Sequence, residues 1–269
     1  MLTQVTYYLN NLVPSIHHPA EPREGMGKLR QCIFCQKSDV TFYHDEHIIS
    51  ESLGGGIISN GRVCDDCNNY FGTQIEQRVL DHEFGLTRAM LSLPTKKKKP
   101  TKIQEKHYNI QTMPAQNGQR RIGISIEPQN LQSDLWVVEH KGMNKFSVNR
   151  RIPHYDPSLT SAFLSKMLLE TYWLLVDNGF SSDVLALSLP HATNARFHRP
   201  RRFIPYTVIP VTYFGLALTF TSTILPNGQW LFVAQVLNRI YYMALEEAGN
   251  TELAQKWSNQ KEGFVFVSG

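Results

Sequence analysis

The chain's four cysteines fall in two pairs, Cys32-Ile33-Phe34-Cys35 and Cys64-Asp65-Asp66-Cys67, separated by 28 residues. Two such knuckles bring together four thiolates, the donor set of a closed tetrahedral zinc site. A disulfide framework would scatter its cysteines across the domain, whereas all of these lie in one window. A structural zinc on Cys32, Cys35, Cys64 and Cys67 is therefore expected, supplying folding energy to a segment too small for its own core. Between the knuckles lie Asp45-Glu46-His47-Ile48-Ile49, Gly54-Gly55-Gly56 and Asn60, and Asn68 directly follows the second pair. An imidazole titrates near neutral pH, so His47 is a candidate for moving protons. The glycine run lacks the Gly-Lys-Ser/Thr ending of a phosphate-binding loop and is read as a turn.

Over about residues 31 to 76, the succession C-x2-C, Glu-His-Ile-Ile, Ser-Leu-Gly-Gly, Asn, Val-Cys-x2-Cys-Asn and Phe-Gly resembles the HNH endonuclease family. Within that family it is similar to the subgroup whose ββα-metal finger is clamped by four cysteines. The resemblance implies metal-dependent hydrolysis of phosphodiester bonds in nucleic acid, DNA first of all. Carried over position by position, it makes His47 the base that activates water and Asn60 the amide that orients the imidazole. Glu46 and Asn68 become ligands of a catalytic Mg²⁺ or Mn²⁺ that stabilises the leaving 3′-oxygen. These roles suit the residue types. Imidazole is matched to proton transfer at neutral pH, and oxygen donors suit hard cations better than they suit zinc. Two metals would then do two jobs, one closed and structural, the other keeping open positions for phosphate and water.

The chain departs from the family at Ser50, where proline is common, at Asn68 in place of histidine, and at Gly72, where some members place another ligand. Asp65, Asp66 and Glu76 are read as acids favourable to a helix dipole. The family's usual setting implies restriction or phage defence. The competing reading is a catalytically inactive, zinc-stapled nucleic-acid-binding or scaffold module, against which the intact Glu46, His47 and Asn60 speak.

Two basic clusters are candidates for phosphate contact. Lys97 and Lys98 sit in the run Lys96 to Lys99, while Arg196, Arg199, Arg201 and Arg202 are interleaved with Phe197, Phe203 and Tyr206. Guanidinium contacts to phosphate and stacking of bases on aromatic rings are the chemistry this composition allows. A formal charge of +4 and a pI near 8.8 are compatible with a polyanionic partner without demanding one.

The elements that must position these groups divide the 269 residues into four stretches. Residues 1–30, with Pro14, Pro19 and Pro22, form a connector. Residues 31–93 carry the HNH finger, 94–106 a basic linker, and 107–269 an α+β recognition or regulatory domain. The fold class is α+β, with an N-terminal zinc-bound ββα-metal finger and a larger C-terminal α+β domain. Strands are predicted over Arg121–Glu127 and Leu135–Glu139 from their alternation. A helix starting at Asp156-Pro157 buries Phe163, Met167, Tyr172 and Leu175 and ends at Asn178-Gly179; its aromatic residues are read as core. Asn227-Gly228 is a hairpin signal between Leu216–Leu225 and Gln229–Leu237. The first residues lack a basic, then apolar, leader, and no run of about 18 apolar residues occurs, so a cytoplasmic protein without membrane contact is expected. One finger cuts one strand, so symmetric cutting calls for a homodimer. Residues 107–269 are expected to recognise a target, a protein partner or an activating signal.

Overall fold

A computed structural model describes residues 5–8, 31–55, 61–91, 93, 95, 99, 101–105, 108–116, 119–126, 136–140, 146–150, 156–177, 185–196, 203–221, 230–246, 249 and 265–267. The molecule is α+β and divides into two compact units, one made of residues 1–78 and 157–269, the other of residues 79–156. This partition groups residues 157–269 with the cysteine segment, where the sequence reading drew its boundary along the basic linker. Among the described residues no helix is long and apolar enough to cross a membrane.

In the first unit, β7 (Tyr206–Thr221) and β8 (Leu231–Ala244) form a long antiparallel hairpin. It lies where Asn227-Gly228 predicted one, although the turn is outside the described residues. The two strands slip register between Pro210 and Gly215, and Leu237 sits there with φ 54°. Such a bulge bends the ladder. Strand β1 (Val5–Tyr8) pairs with β7 at 217–220, and β9 (Val265–Val267) pairs with β7 at 206–208.

Helix α4 (Pro157–Asp177) begins at the predicted Asp156-Pro157 signal, where proline's fixed φ suits a first helical turn. It packs against α5 (Leu185–Ala195), β7 and β8. Residues Leu159 to Tyr172 are all buried, on every face of the helix. Its polar positions therefore need internal partners. Ser161 Oγ donates to Ile204 O at 2.7 Å, Asn194 Nδ2 donates to Ser161 and Ser165 at 2.9 Å, and Ser165 meets His191 Nδ1 at 3.2 Å.

The second unit contains α3 (Gly85–Met90) and an antiparallel sheet in the order β2 (Lys102–Glu105), β3 (Tyr108–Gln116), β4 (Gln119–Ile126), with β5 (Trp136–His140) and β6 (Phe146–Arg150) as a separate pair. Strands β4 and β5 occupy the two stretches whose alternation predicted them. The linker lysines Lys97 and Lys98 lie outside the described residues.

Candidate active site and zinc centre

The two knuckles fold onto one another as their spacing requires. Cys32 N–H donates to Lys37 O and Gln36 N–H to Cys32 O, closing a tight loop in which Gln36 takes φ 57°. The second knuckle starts α1 (Asp65–Tyr70), which runs on through a π-turn (Phe71–Glu76) into α2 (Gln77–His82). Phe34 packs edge-on against Phe71 with ring centroids 4.5 Å apart, and both are buried.

The four cysteine Sγ atoms lie within 4.8 Å of one another and none is in a disulfide. Cys32 and Cys67 are 3.6 Å apart, and Cys35 and Cys64 are 3.7 Å apart. A zinc–sulfur bond of about 2.3 Å in a regular tetrahedron requires sulfurs about 3.8 Å apart, so these residues fit the ion. The electrostatics agree. The Cys67 thiol holds Cys32 down at about 4, while burial pushes Cys64 up to about 11, and the proximity of Cys32, ahead of burial, drives Cys67 higher still. Without a cation Cys32 ionises readily while Cys64 and Cys67 resist it; a zinc ion would relieve that resistance.

The segment between the knuckles is held by turns and side-chain ties. Asp65 accepts from the Tyr43 and His44 amides at 3.0 and 2.9 Å and meets His44 Nδ1 at 3.1 Å. Burial works to raise its pKa, but hydrogen bonds from Thr41, His44 and Tyr43 outweigh it and hold the carboxyl far below the usual carboxylate range. Asn68 Nδ2 donates to Asp45 O at 3.2 Å, so the amide nitrogen of the expected metal ligand is turned to the backbone just before Glu46. Ile48 and Ile49 are buried and anchor the chain just ahead of a short 3₁₀ turn (Glu51–Leu53). Ser50, in the place where proline is common, caps that turn by accepting from Ser52 N. Gly54 closes it at φ 87°, and a Cβ on Gly55 would stand 2.2 Å from Ile49 O.

The His47 side chain is a quarter exposed, and its Nε2 lies 3.4 Å from Glu51 Oε1, four residues on. Sequence reasoning assigned the orienting role to Asn60, which lies outside the described residues; Glu51, the carboxylate beside the imidazole, was not singled out there. Glu46 is almost fully buried, and its Oε1 is 2.6 Å from the Nζ of Lys166 on α4. That ammonium also lies 2.9 Å from Glu76 Oε1 and 3.2 Å from Glu170 Oε2, and it donates to His47 O at 2.8 Å. Glu76, read from sequence as a helix-dipole acid, thus serves this cluster instead. Burial lowers the Lys166 pKa, but Glu170, Glu46 and Glu76 more than reverse it, so the side chain stays charged. Burial, aided by Glu46 and Glu76, pushes Glu170 well above the usual carboxylate range against the pull of Lys166.

Arg196, expected to contact phosphate, stacks its guanidinium over Tyr70 of α1 at 4.5 Å, with its Nε buried and without a hydrogen bond among the described residues. Planar guanidinium on an aromatic face is a stable use within the fold. Arg62 similarly covers Trp173 at 5.6 Å. Arg199, Arg201 and Arg202 lie outside the described residues.

Residues 32–84 match the family model described as HNH endonuclease. No curated protein and no solved structure matches the chain.

Proposed function

We propose that the chain, through its HNH endonuclease segment at residues 32–84, is an endonuclease that hydrolyses phosphodiester bonds of DNA, with His47 as general base. The observation that carries this reading is the His47 imidazole. It is solvent-accessible, carboxylate-paired at 3.4 Å, and set on a backbone pinned between buried Ile48 and the zinc knuckles. In the reaction, Nδ1, the ring nitrogen not paired with Glu51, takes a proton from water as the water oxygen bonds to phosphorus, the bond to the 3′-oxygen breaks and that oxygen is protonated from solvent. Glu51 orients the ring and offsets the charge of the imidazolium.

The divalent ion that such nucleases use, Mg²⁺ or Mn²⁺ in this reading, would supply charge neutralisation at the leaving oxygen. Its expected ligand Glu46 gives Oε1 to an ammonium at 2.6 Å, an arrangement that does not fit a divalent ion on the same oxygen. Among the described residues the four cysteines are the one cluster of three or more His, Cys, Asp or Glu side chains placed to share an ion. The steps assigned here therefore stay with the side chains.

A plasmid-nicking assay in Mg²⁺ or Mn²⁺, with a chelator and His47→Ala as controls, tests the proposal. Metal-dependent nicking that disappears in His47→Ala supports it. Nicking that persists in His47→Ala overturns the catalytic assignment. A zinc-loaded protein that cuts neither single- nor double-stranded DNA nor RNA is the inactive binding module. A cytoplasmic restriction or phage-defence enzyme is the setting this reading favours, with a homodimer required where both strands are cut.

A further inference from the structure

We propose that Lys166, carried on α4 outside the segment matched by the family, is a positioning residue of the nuclease site. Its single ammonium ties the Glu46 carboxylate and the His47 carbonyl together, and so fixes the backbone from which the His47 imidazole projects. The inference rests on the nuclease reading of His47 and goes beyond it by making part of the C-terminal chain integral to the site.

The argument starts from cost. A lysine with no solvent exposure survives in a core only where its charge is compensated and its protons find acceptors. An ammonium has three protons, and four oxygens surround this one: it hydrogen-bonds to Glu46 Oε1 at 2.6 Å and His47 O at 2.8 Å, while Glu76 Oε1 at 2.9 Å and Glu170 Oε2 at 3.2 Å are ion-pair neighbours that accept no hydrogen bond among the described residues. The two closest belong to adjacent residues of the candidate motif. Glu170 lies one turn along α4 and Glu76 ends the π-turn, so both complete the ammonium's shell from elements that do not carry His47. Asn68 Nδ2 donates to Asp45 O of the same short segment. The backbone of residues 45–47 is thus gripped at two carbonyls, one from α1 and one from α4. Glu46 serves in this arrangement as the anchor of its neighbour rather than as a ligand of a divalent ion.

Removing Lys166 alone strands three carboxylates in the core, so the test on the full-length chain compares Glu76→Gln/Glu170→Gln with the triple variant that adds Lys166→Met. Bound zinc, hydrogen–deuterium exchange over residues 44–50, and kcat and KM for plasmid nicking in Mg²⁺ are read for both. The triple variant is expected to keep its zinc and its KM within ~3-fold while kcat falls ~100-fold, the scale of loss for an ångström of misplacement. Exchange over 44–50 should accelerate by ~10-fold or more as its anchor goes. A folded, zinc-loaded triple variant with unchanged exchange and kcat overturns the proposal. The exchange arm needs no cleavage, so it decides the anchoring claim even if the nuclease reading fails. Should the triple variant not fold, Lys166→Arg decides: it keeps the charge but moves the donors, and a kcat equal to that of the parent overturns the positioning role.

Discussion

Glu46 and Lys166 meet at 2.6 Å, side chain to side chain and out of water, although one belongs to the zinc segment and the other to a helix far along the chain. The pair does more than cancel charge. Its ammonium also holds the carbonyl of the next residue, so the position of the His47 imidazole depends on both parts of the chain.

For His47 the expected outcome is specific. His47→Ala should lower kcat by roughly 10²–10⁴-fold, the usual contribution of a general base, while bound zinc and thermal stability stay near the parent values. Glu51→Gln should cost less, about tenfold, because the partially exposed carboxylate only orients and offsets the imidazolium. Zinc measured by atomic emission together with nicking kinetics checks both. Equal losses in the two variants would show that the carboxylate does more than orient.

The zinc site makes a separate prediction. Cys64→Ser removes a ligand from the core of the knuckle pair, and structural zinc contributes about 10–16 kcal/mol in comparable small sites. The variant should lose its zinc, and far-UV circular dichroism should show lost helix from the 65–82 region. A strong chelator applied to the parent protein should do the same. Retention of one zinc per chain by Cys64→Ser would contradict the four-thiolate assignment.

Glu170 predicts the sign of a pH effect on stability. Its folded pKa is raised above the ordinary 4.5 by burial and by the neighbouring Glu46 and Glu76 carboxylates. A raised carboxyl means that the folded state binds its proton more tightly than the unfolded state does, so stability falls as pH rises from about 4.5 towards the folded value. Denaturant midpoints measured across that window should decline in the parent protein, and the decline should be shallower in Glu170→Gln. An equal slope in the two proteins would place the titration elsewhere.

What could be seen in the sequence follows physical range. The cysteine pairs carry their own spacing, Asp156-Pro157 announces a helix start locally, and Asn227-Gly228 announces a hairpin, so each was legible. Lys166 was not, because its partners Glu46, His47 and Glu76 become neighbours only after folding. A local trace existed nonetheless: Lys166 and Glu170 are the only charged residues between Pro157 and Val176, spaced four apart in a helix whose other residues there are uncharged. Charges at that spacing in a fully buried helix must pair with something. Arg196 was read from a basic, aromatic-rich run as a phosphate contact, and its stacking on Tyr70, a residue far away in sequence, was not legible there.

Two adjacent glycines separate backbone strain from collision. Gly54 has φ 87°, but among the described residues a Cβ there would meet only Leu216 at 3.7 Å, so Gly54→Ala bears mainly the left-handed backbone cost of about 1–2 kcal/mol. At Gly55 a Cβ would stand 2.2 Å from Ile49 O and 2.7 Å from its carbonyl carbon, and backbone atoms cannot swing aside as a side chain can. Gly55→Ala should therefore be the more destabilising, by about 2–4 kcal/mol, within the upper range for forced overpacking. Relief must displace Ile49, two residues from His47, so kcat should fall together with the melting temperature while zinc remains bound. Thermal denaturation and nicking kinetics of the two variants test this, and a Gly55→Ala protein as stable and as active as Gly54→Ala would show that the loop has room the structure does not.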